Sequence, residues 1–372
     1  MIFCWWVNFD KRLNHLANNG GVAIKIVAFC EIPRITEINF FRREFNIFVE
    51  HVESIADFEA KLNTCESNIV LVVSNNPSFW INSLNKLPRE SVVFILIGNE
   101  TYEPAPYNLI NEIKSLKHSF VYNPPKNISN LTIIGSILGN LNDGGLKKSL
   151  KPGNLFREGR IAQSLKNKFA QINMNYSYTE LPQGYSNSFA EKISKVARIN
   201  AVDSLLSESS LSTICNNRKL EYSFTFLGQD GNRRRENFLR VASNFDRVHI
   251  FPFESGFGGN NQDNDFTYIN LLLSSKFILI PPGLFNNSNH RYTESLIVQS
   301  IPVILANNSL DPSTNNNWTK NLSFMKRYSA KSLLQYLNDI DEKTYRNIYI
   351  EASKVNFNHI SQTKRQFDEL FA

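Results

Sequence analysis

Arg291 and Glu294 stand three residues apart in "HRYTESLIVQS", after the apolar run "KFILIPP" and a polar loop. Residues three apart share one helix face, so both side chains would address one cleft. A helix N-terminus exposes unpaired N–H groups and a partial positive charge. Glu294 in the first turn suits that field. Arg291 opposes it, at a cost of roughly a few tenths of a kcal/mol, unless an anion lies nearby. An arginine added to a helix N-terminus makes a strong pyrophosphate site, and a carboxylate beside it accepts hydrogen bonds from ribose hydroxyls. The pair would hold two adjacent parts of a nucleotide diphosphate. Taken alone, Arg-x-x-Glu equally describes a surface ion pair on an ordinary helix.

The elements that must position this pair are read from periodicity. In the first half, Val22–Phe29, Ile47–Val52, Asn68–Ser74, Ser91–Gly98 and His118–Asn123 are predicted strands, and "DFEAKLN", "SFWINSLNKL", "PYNLINEIKSLK" and "NLTIIGSILGNL" carry helical spacing. Near-continuous Val/Ile/Leu runs imply strands buried on both faces, as in a parallel sheet flanked by helices. Residues 144–190 fit less well, with "NLFREGRIAQSLKNKFAQI" helical and "YTELPQGYSNSF" loop-like. From about Leu220 a second βα series begins, in which Tyr222–Gly228, "RVHIFPF", "KFILIPP" and "IPVILAN" are strands. The division is 1–190, a linker 191–219, a second Rossmann-like domain 220–350, and a terminal helix 351–372 expected to pack back on the first domain. Such sheets bind ligands at the carboxyl ends of their strands. No G-x-G-x-x-G follows a predicted strand, so a dinucleotide enzyme is not supported.

Composition narrows the class. At 372 residues, with 42% hydrophobic and 20% charged residues, the chain describes a soluble two-domain protein. A net charge of +6 suits an anionic ligand or an anionic membrane surface, and no basic run interleaved with aromatics points to nucleic acid. Cys4, Cys30, Cys65 and Cys215 lack metal or redox spacing and read as reduced thiols of a cytoplasmic protein. "MIFCWWV" lacks a basic flank and is too short for a membrane span. The abundance of Asn hints at a bacterial, AT-rich source.

From Tyr222 to Asn307, "FTFLGQDGNRRRENFL", the helix led by Tyr268, "SKFILIPPG", Arg291-x-x-Glu294 and "SIPVIL" together resemble the carboxyl-terminal signature of the exostosin family of glycosyltransferases. The resemblance covers less than a third of the chain. It implies an α/β GT-B fold, two Rossmann-like domains facing a cleft, and inverting transfer of a sugar from a nucleotide diphosphate sugar, UDP-sugar first, without a bound metal or other cofactor. Carried over by position, Arg291 would hold the diphosphate, Glu294 the ribose, and Arg234 or Arg235 would be the second cation. Gly228 and Gly283 fall in the family's strand-end turns, and His290 beside Arg291 becomes a donor-site or capping residue. Ser300 stands where the family often has Cys or Ala. The amino-terminal half carries no family motif, which leaves the acceptor open.

Transfer requires that charge on the leaving diphosphate be stabilised by a metal or by fixed cations. Asp263 and Asp265 in "NNQDNDF" lie in a polar loop between strand and helix and are either a metal site or simply solvated, whereas Arg233, Arg234 and Arg235 open a helix and could supply the metal's charge. A general base from the first domain is also needed. Glu31, just after the first strand, fits by position, as do Glu100 and Glu103. Tyr185, in the turn-forming "ELPQGY", would either stack on an acceptor sugar or anchor its loop. The expected partners are the donor and a glycan or lipid-linked glycan acceptor in bacterial surface polysaccharide synthesis. The helix Asn154–Ile172 would either touch an anionic membrane loosely through Arg157, Arg160, Lys166 and Lys168, beside Leu155, Phe156, Ile161, Leu165 and Phe169, or pack on the first domain with its basic face solvated. Competing readings are a non-catalytic nucleotide-sugar-binding protein and a two-Rossmann sugar-nucleotide epimerase.

Overall fold

Short Val/Ile/Leu runs become strands here, and the chain between them returns as helices, because each strand needs cover on both faces. The computed structural model describes residues 26–33, 35–63, 68–98, 102–122, 124–125, 163–182, 184–229, 233–253, 266–280, 290–304 and 330–372. The first series runs β1 (Ile26–Cys30), α1 (Ile38–Phe45), β2 (Ile47–His51), α2 (Ile55–Leu62), β3 (Val70–Ser74), α3 (Pro77–Leu84), β4 (Val92–Leu96), α4 (Pro104–Ile110) and β5 (Leu116–Tyr122). Helical residues 163–171 (α5) and β6 (Tyr178–Leu181) complete it. The sheet order is β2-β1-β3-β4-β5-β6, and every described pairing is parallel. All positions of β3 and β4 are buried, as uninterrupted apolar strands require. Helix starts are locally encoded. Ser54 Oγ accepts the Asp57 N–H at 3.1 Å to cap α2, and prolines open α3 and α4, where a missing N–H costs nothing.

Two connecting helices, α6 (Asn187–Ala197) and α7 (Glu208–Cys215), lead into the second series. It contains β7 (Tyr222–Gln229), α8 (Arg233–Ala242), β8 (Val248–Phe253), α9 (Thr267–Leu273), β9 (Ser275–Ile280), α10 (His290–Ile297) and β10 (Ile301–Ile304), followed by α11 (Ala330–Asp339) and α12 (Glu342–Phe371). Its sheet order is β10-β9-β7-β8, again parallel. The protein is thus an α/β molecule with two parallel sheets of six and four strands.

The 191–219 stretch is packed rather than loose. Its first part bonds to α1, where Ser204 and Leu205 bind Glu44, and its last part bonds to the second sheet, where Arg218 Nη2 reaches Ser275 O at 2.7 Å. Ser300 belongs to the same junction. Its Oγ lies 2.7 Å from Ser275 O and 3.0 Å from Leu272 O, which gives a buried serine at this position a bonding role.

α12 revises the boundary expected at 351, since one 30-residue helix begins at Glu342. At about 1.5 Å per residue it is about 45 Å long, enough to touch both sheets. Near its start the Tyr345 hydroxyl donates to Gln299 O at 2.8 Å, and near its end Phe367 packs against Phe45 and Phe120.

Candidate functional site

In parallel sheets every strand ends at the same edge, so the segments that follow them gather on one side. Glu37, after β1, and Gly184 to Ser186, after β6, there meet the first turns of α10, which follows β9. Loops at the carboxyl edge of the first sheet thus touch the helix that follows β9 of the second.

Glu294 is the centre of this meeting. It is only 2% exposed. Its Oε1 accepts the Ser186 N–H at 2.9 Å and the Ser186 hydroxyl at 2.7 Å, and its Oε2 accepts the Tyr268 hydroxyl at 2.5 Å. Ser186 is also the N-cap of α6, accepting the Phe189 N–H at 3.3 Å. The carboxylate thus sits at a helix N-terminus with three donors, which offsets the cost of burying it. Burial, and next the Glu294 charge, push Tyr268 well above the usual tyrosine range, so it keeps the proton it donates. Glu294 was expected to lie open to a ribose. In this conformation it is bound instead by the other half of the chain.

Arg291 takes a different seat. Its guanidinium carbon lies 5.7 Å from the centre of the Phe226 ring, and a Cβ on Gly228 would come within 2.5 Å of its Nη2. A larger residue at 228 would displace the guanidinium, and the φ of +153° there separately favours glycine. Gly228 lies near the carboxyl end of β7. In the order β10-β9-β7-β8, the chain leaves β7 to one side for β8 and returns on the other side as β9. Arg291 therefore lies at the point where the strand order reverses, the place at which open α/β sheets bind ligands.

His290 Nε2 lies 3.2 Å from Glu37 Oε1, while Glu37 Oε2 accepts the Thr36 hydroxyl at 2.6 Å. Burial alone would lower His290, but the Glu37 carboxylate, the Glu294 charge and the Gly184 carbonyl outweigh it and raise it to about 9. Burial would raise Glu37, and His290 more than reverses that, leaving it lowered. The two form an ion pair across the boundary. Tyr122, at the end of β5, is close enough to feel the Glu37 charge, and its buried hydroxyl has no hydrogen-bond partner among the described residues.

The other expected residues scatter. Glu31 lies at the corresponding reversal point of the first sheet, between β1 and β3. It is half-buried, and Ser74 Oγ donates to its Oε1 at 2.5 Å and Trp80 Nε1 to its Oε2 at 2.8 Å, one donor per oxygen, which fixes the side chain and leaves each oxygen a further acceptor position. Tyr185 is fully buried, its ring against Phe40 and Phe189 and its hydroxyl donating to Glu44 at 2.6 Å. It anchors its loop and offers no face to a sugar. Glu103 pairs with Lys168 at 2.5 Å. Leu165 is buried and Phe169 meets Tyr102 edge-on, so these apolar residues of α5 pack on the first domain, the second of the two arrangements expected for this helix. Among the described residues no helix is long and apolar enough to cross a membrane. Gly283, Glu100, Arg157, Arg160, Asp263 and Asp265 lie outside the described residues, as do the side chains of Arg234 and Arg235.

Ser186, Glu37, Tyr122 and the bonding role of Tyr268 escaped the sequence reading. Ser186 had a usable signal, a serine directly before a helical run. Glu37 and Tyr122 had none, because nothing local ties them to residue 290. No protein-family model matches this chain, and no curated protein or solved structure matches it either.

Proposed function

We propose that this protein is an inverting glycosyltransferase of GT-B architecture, moving a sugar from a nucleotide diphosphate sugar to a glycan acceptor of a bacterial surface polysaccharide. The observation that carries the reading is the seat of Arg291: a cation in the first turn of α10, laid against Gly228 at the strand-order reversal of the second sheet. In this reading the acceptor hydroxyl attacks the anomeric carbon and the bond from that carbon to the diphosphate oxygen breaks on the opposite face. The charge left on the diphosphate meets Arg291 and the N-terminal dipole of α10. The hydroxyl proton passes to a carboxylate of the amino-terminal domain. Glu31, at the reversal point of the first sheet, and Glu37, which reaches the facing helix, are the two carboxylates placed for that role, and each already holds one partner on each oxygen.

Calorimetric titration with UDP, GDP and ADP tests the donor site. Arg291→Ala should weaken the preferred nucleotide by about 1.5–3 kcal/mol, the scale of charge-assisted hydrogen bonds. Wild-type affinity in the variant would remove Arg291 from the site. The partners already held by Glu31 and Glu37 favour a second reading, a nucleotide-sugar-binding protein without turnover. A labelled donor that binds yet yields neither transferred nor released sugar would select it.

A further inference from the structure

We propose that Ser186 occupies the ribose position of Glu294, so that contact between the two halves of the protein and binding of a ribonucleotide compete for one carboxylate. The inference rests on the nucleotide reading above and adds how that site is regulated. A ribose offers a carboxylate two hydroxyl donors from adjacent carbons. Ser186 offers two donors from one residue, its N–H at 2.9 Å and its hydroxyl at 2.7 Å, both to Oε1. A carboxylate oxygen has about two lone-pair positions, so Oε1 is full. Oε2 already holds the Tyr268 hydroxyl. Since Glu294 is 2% exposed, a ligand hydroxyl reaches it only after Ser186 withdraws.

Ser186 does not withdraw alone. Asn187, next to it, donates its N–H to Thr36 O at 2.7 Å and its side-chain amide to Ile35 O at 2.7 Å, and accepts the Asn39 N–H at 2.8 Å. This same 35–39 segment, which runs into the first turn of α1, carries Glu37, which binds His290. Gly184 fixes the approach, since a Cβ there would overlap the Phe40 ring of α1. Ser186 and Glu37 thus belong to one braced piece, and both grip the first turns of α10, at Glu294 and His290. Those contacts part together. A ribonucleotide that takes Glu294 must separate the two halves at this edge, and the unliganded protein holds itself closed.

The test compares UDP, GDP and ADP with the 2′,3′-dideoxy form of whichever binds, by calorimetry on the full chain. Ser186→Gly removes the hydroxyl and costs the α6 cap only a few tenths of a kcal/mol. It should bind the ribonucleotide about tenfold more tightly than wild type, the scale of one hydrogen bond to a charge, and bind the dideoxy form unchanged. Ser186→Thr keeps the hydroxyl and should behave as wild type. Equal or weaker ribonucleotide affinity in Ser186→Gly, with binding intact, overturns the competition and leaves the donor site standing. An equal gain for the dideoxy form also overturns it, because the ribose would not be the competitor. No binding of any of the three nucleotides by any variant overturns the nucleotide reading itself.

Discussion

Glu44 and Glu294 are buried carboxylates with the same set of donors. Glu44 takes the Tyr185 hydroxyl at 2.6 Å, the Ser204 hydroxyl at 2.5 Å and the Leu205 N–H at 3.0 Å. Glu294 takes the Tyr268 hydroxyl, the Ser186 hydroxyl and the Ser186 N–H. The difference lies in who supplies them. The donors of Glu44 come from segments already tied to α1, whose neighbouring arginines also bind the 201–203 turn, Arg42 to Ala201 O at 3.1 Å and Arg43 to Asp203 O at 3.3 Å. The donors of Glu294 come from both sides of the boundary between the sheets. One carboxylate locks a body together, and the other joins the two sheet-bearing halves. The same chemistry therefore serves the interior in one place and, in the competition proposed above, a separable contact in the other.

That contrast breaks most readily at Glu44. Glu44→Ala strands a tyrosine hydroxyl, a serine hydroxyl and a backbone N–H in the interior, and should cost about 3–5 kcal/mol of unfolding free energy in a denaturant titration. A midpoint equal to wild type would show that Glu44 is no lock.

Next in size is the ion pair beside Glu294. His290 is raised from its ordinary 6.5 to about 9, so its contribution is complete below pH 6.5 and fades as pH climbs through 9. Glu37 is lowered, so its contribution is present above the ordinary glutamate value and fades as pH falls through its depressed one. Between pH 6.5 and 9.5 the wild type should lose about 2–3 kcal/mol, allowing for the 23% of the His290 side chain that meets solvent. The groups facing this pair are Glu294, Tyr122, Thr36 and the Gly184 carbonyl. Unfolding midpoints measured across that range should flatten in Glu37→Gln. A slope unchanged in the variant would assign the pH dependence elsewhere.

The smallest effect belongs to Glu294 itself. Glu294→Gln keeps the shape and one acceptor, so global stability should fall by only about 1–2 kcal/mol, well short of Glu44→Ala. A loss as large as that of Glu44→Ala would mean that the boundary is as integral as the interior and would erase the distinction.

Much of the scaffold was legible because burial on both faces writes itself into composition. "VLVVS" and "VVFIL" can only be central strands, and both are fully buried. β6 was not legible. "YTEL" carries no apolar run, and its strand form comes from pairing along β5, with Ser119 opposite Tyr178 and Tyr122 opposite Leu181. α1 was overlooked for a related reason: "INFFRREF" buries Arg43 and Glu44 along with its phenylalanines, so polar residues interrupt the expected stripe.

The sequence by itself determined that Arg291 and Glu294 share the start of a helix after a buried strand, because a 3.6-residue period and a polar loop suffice to say so. Only the tertiary structure decided what each one faces. Arg291 meets Gly228, which β7 brings alongside because that strand pairs with β9. Glu294 meets Ser186, 108 residues away, because α6 is braced on the loop after β1. Helix periodicity acts over a single turn and can be read from neighbours. The partners of a buried charge are chosen by whichever distant donors packing delivers, and no local pattern records that choice.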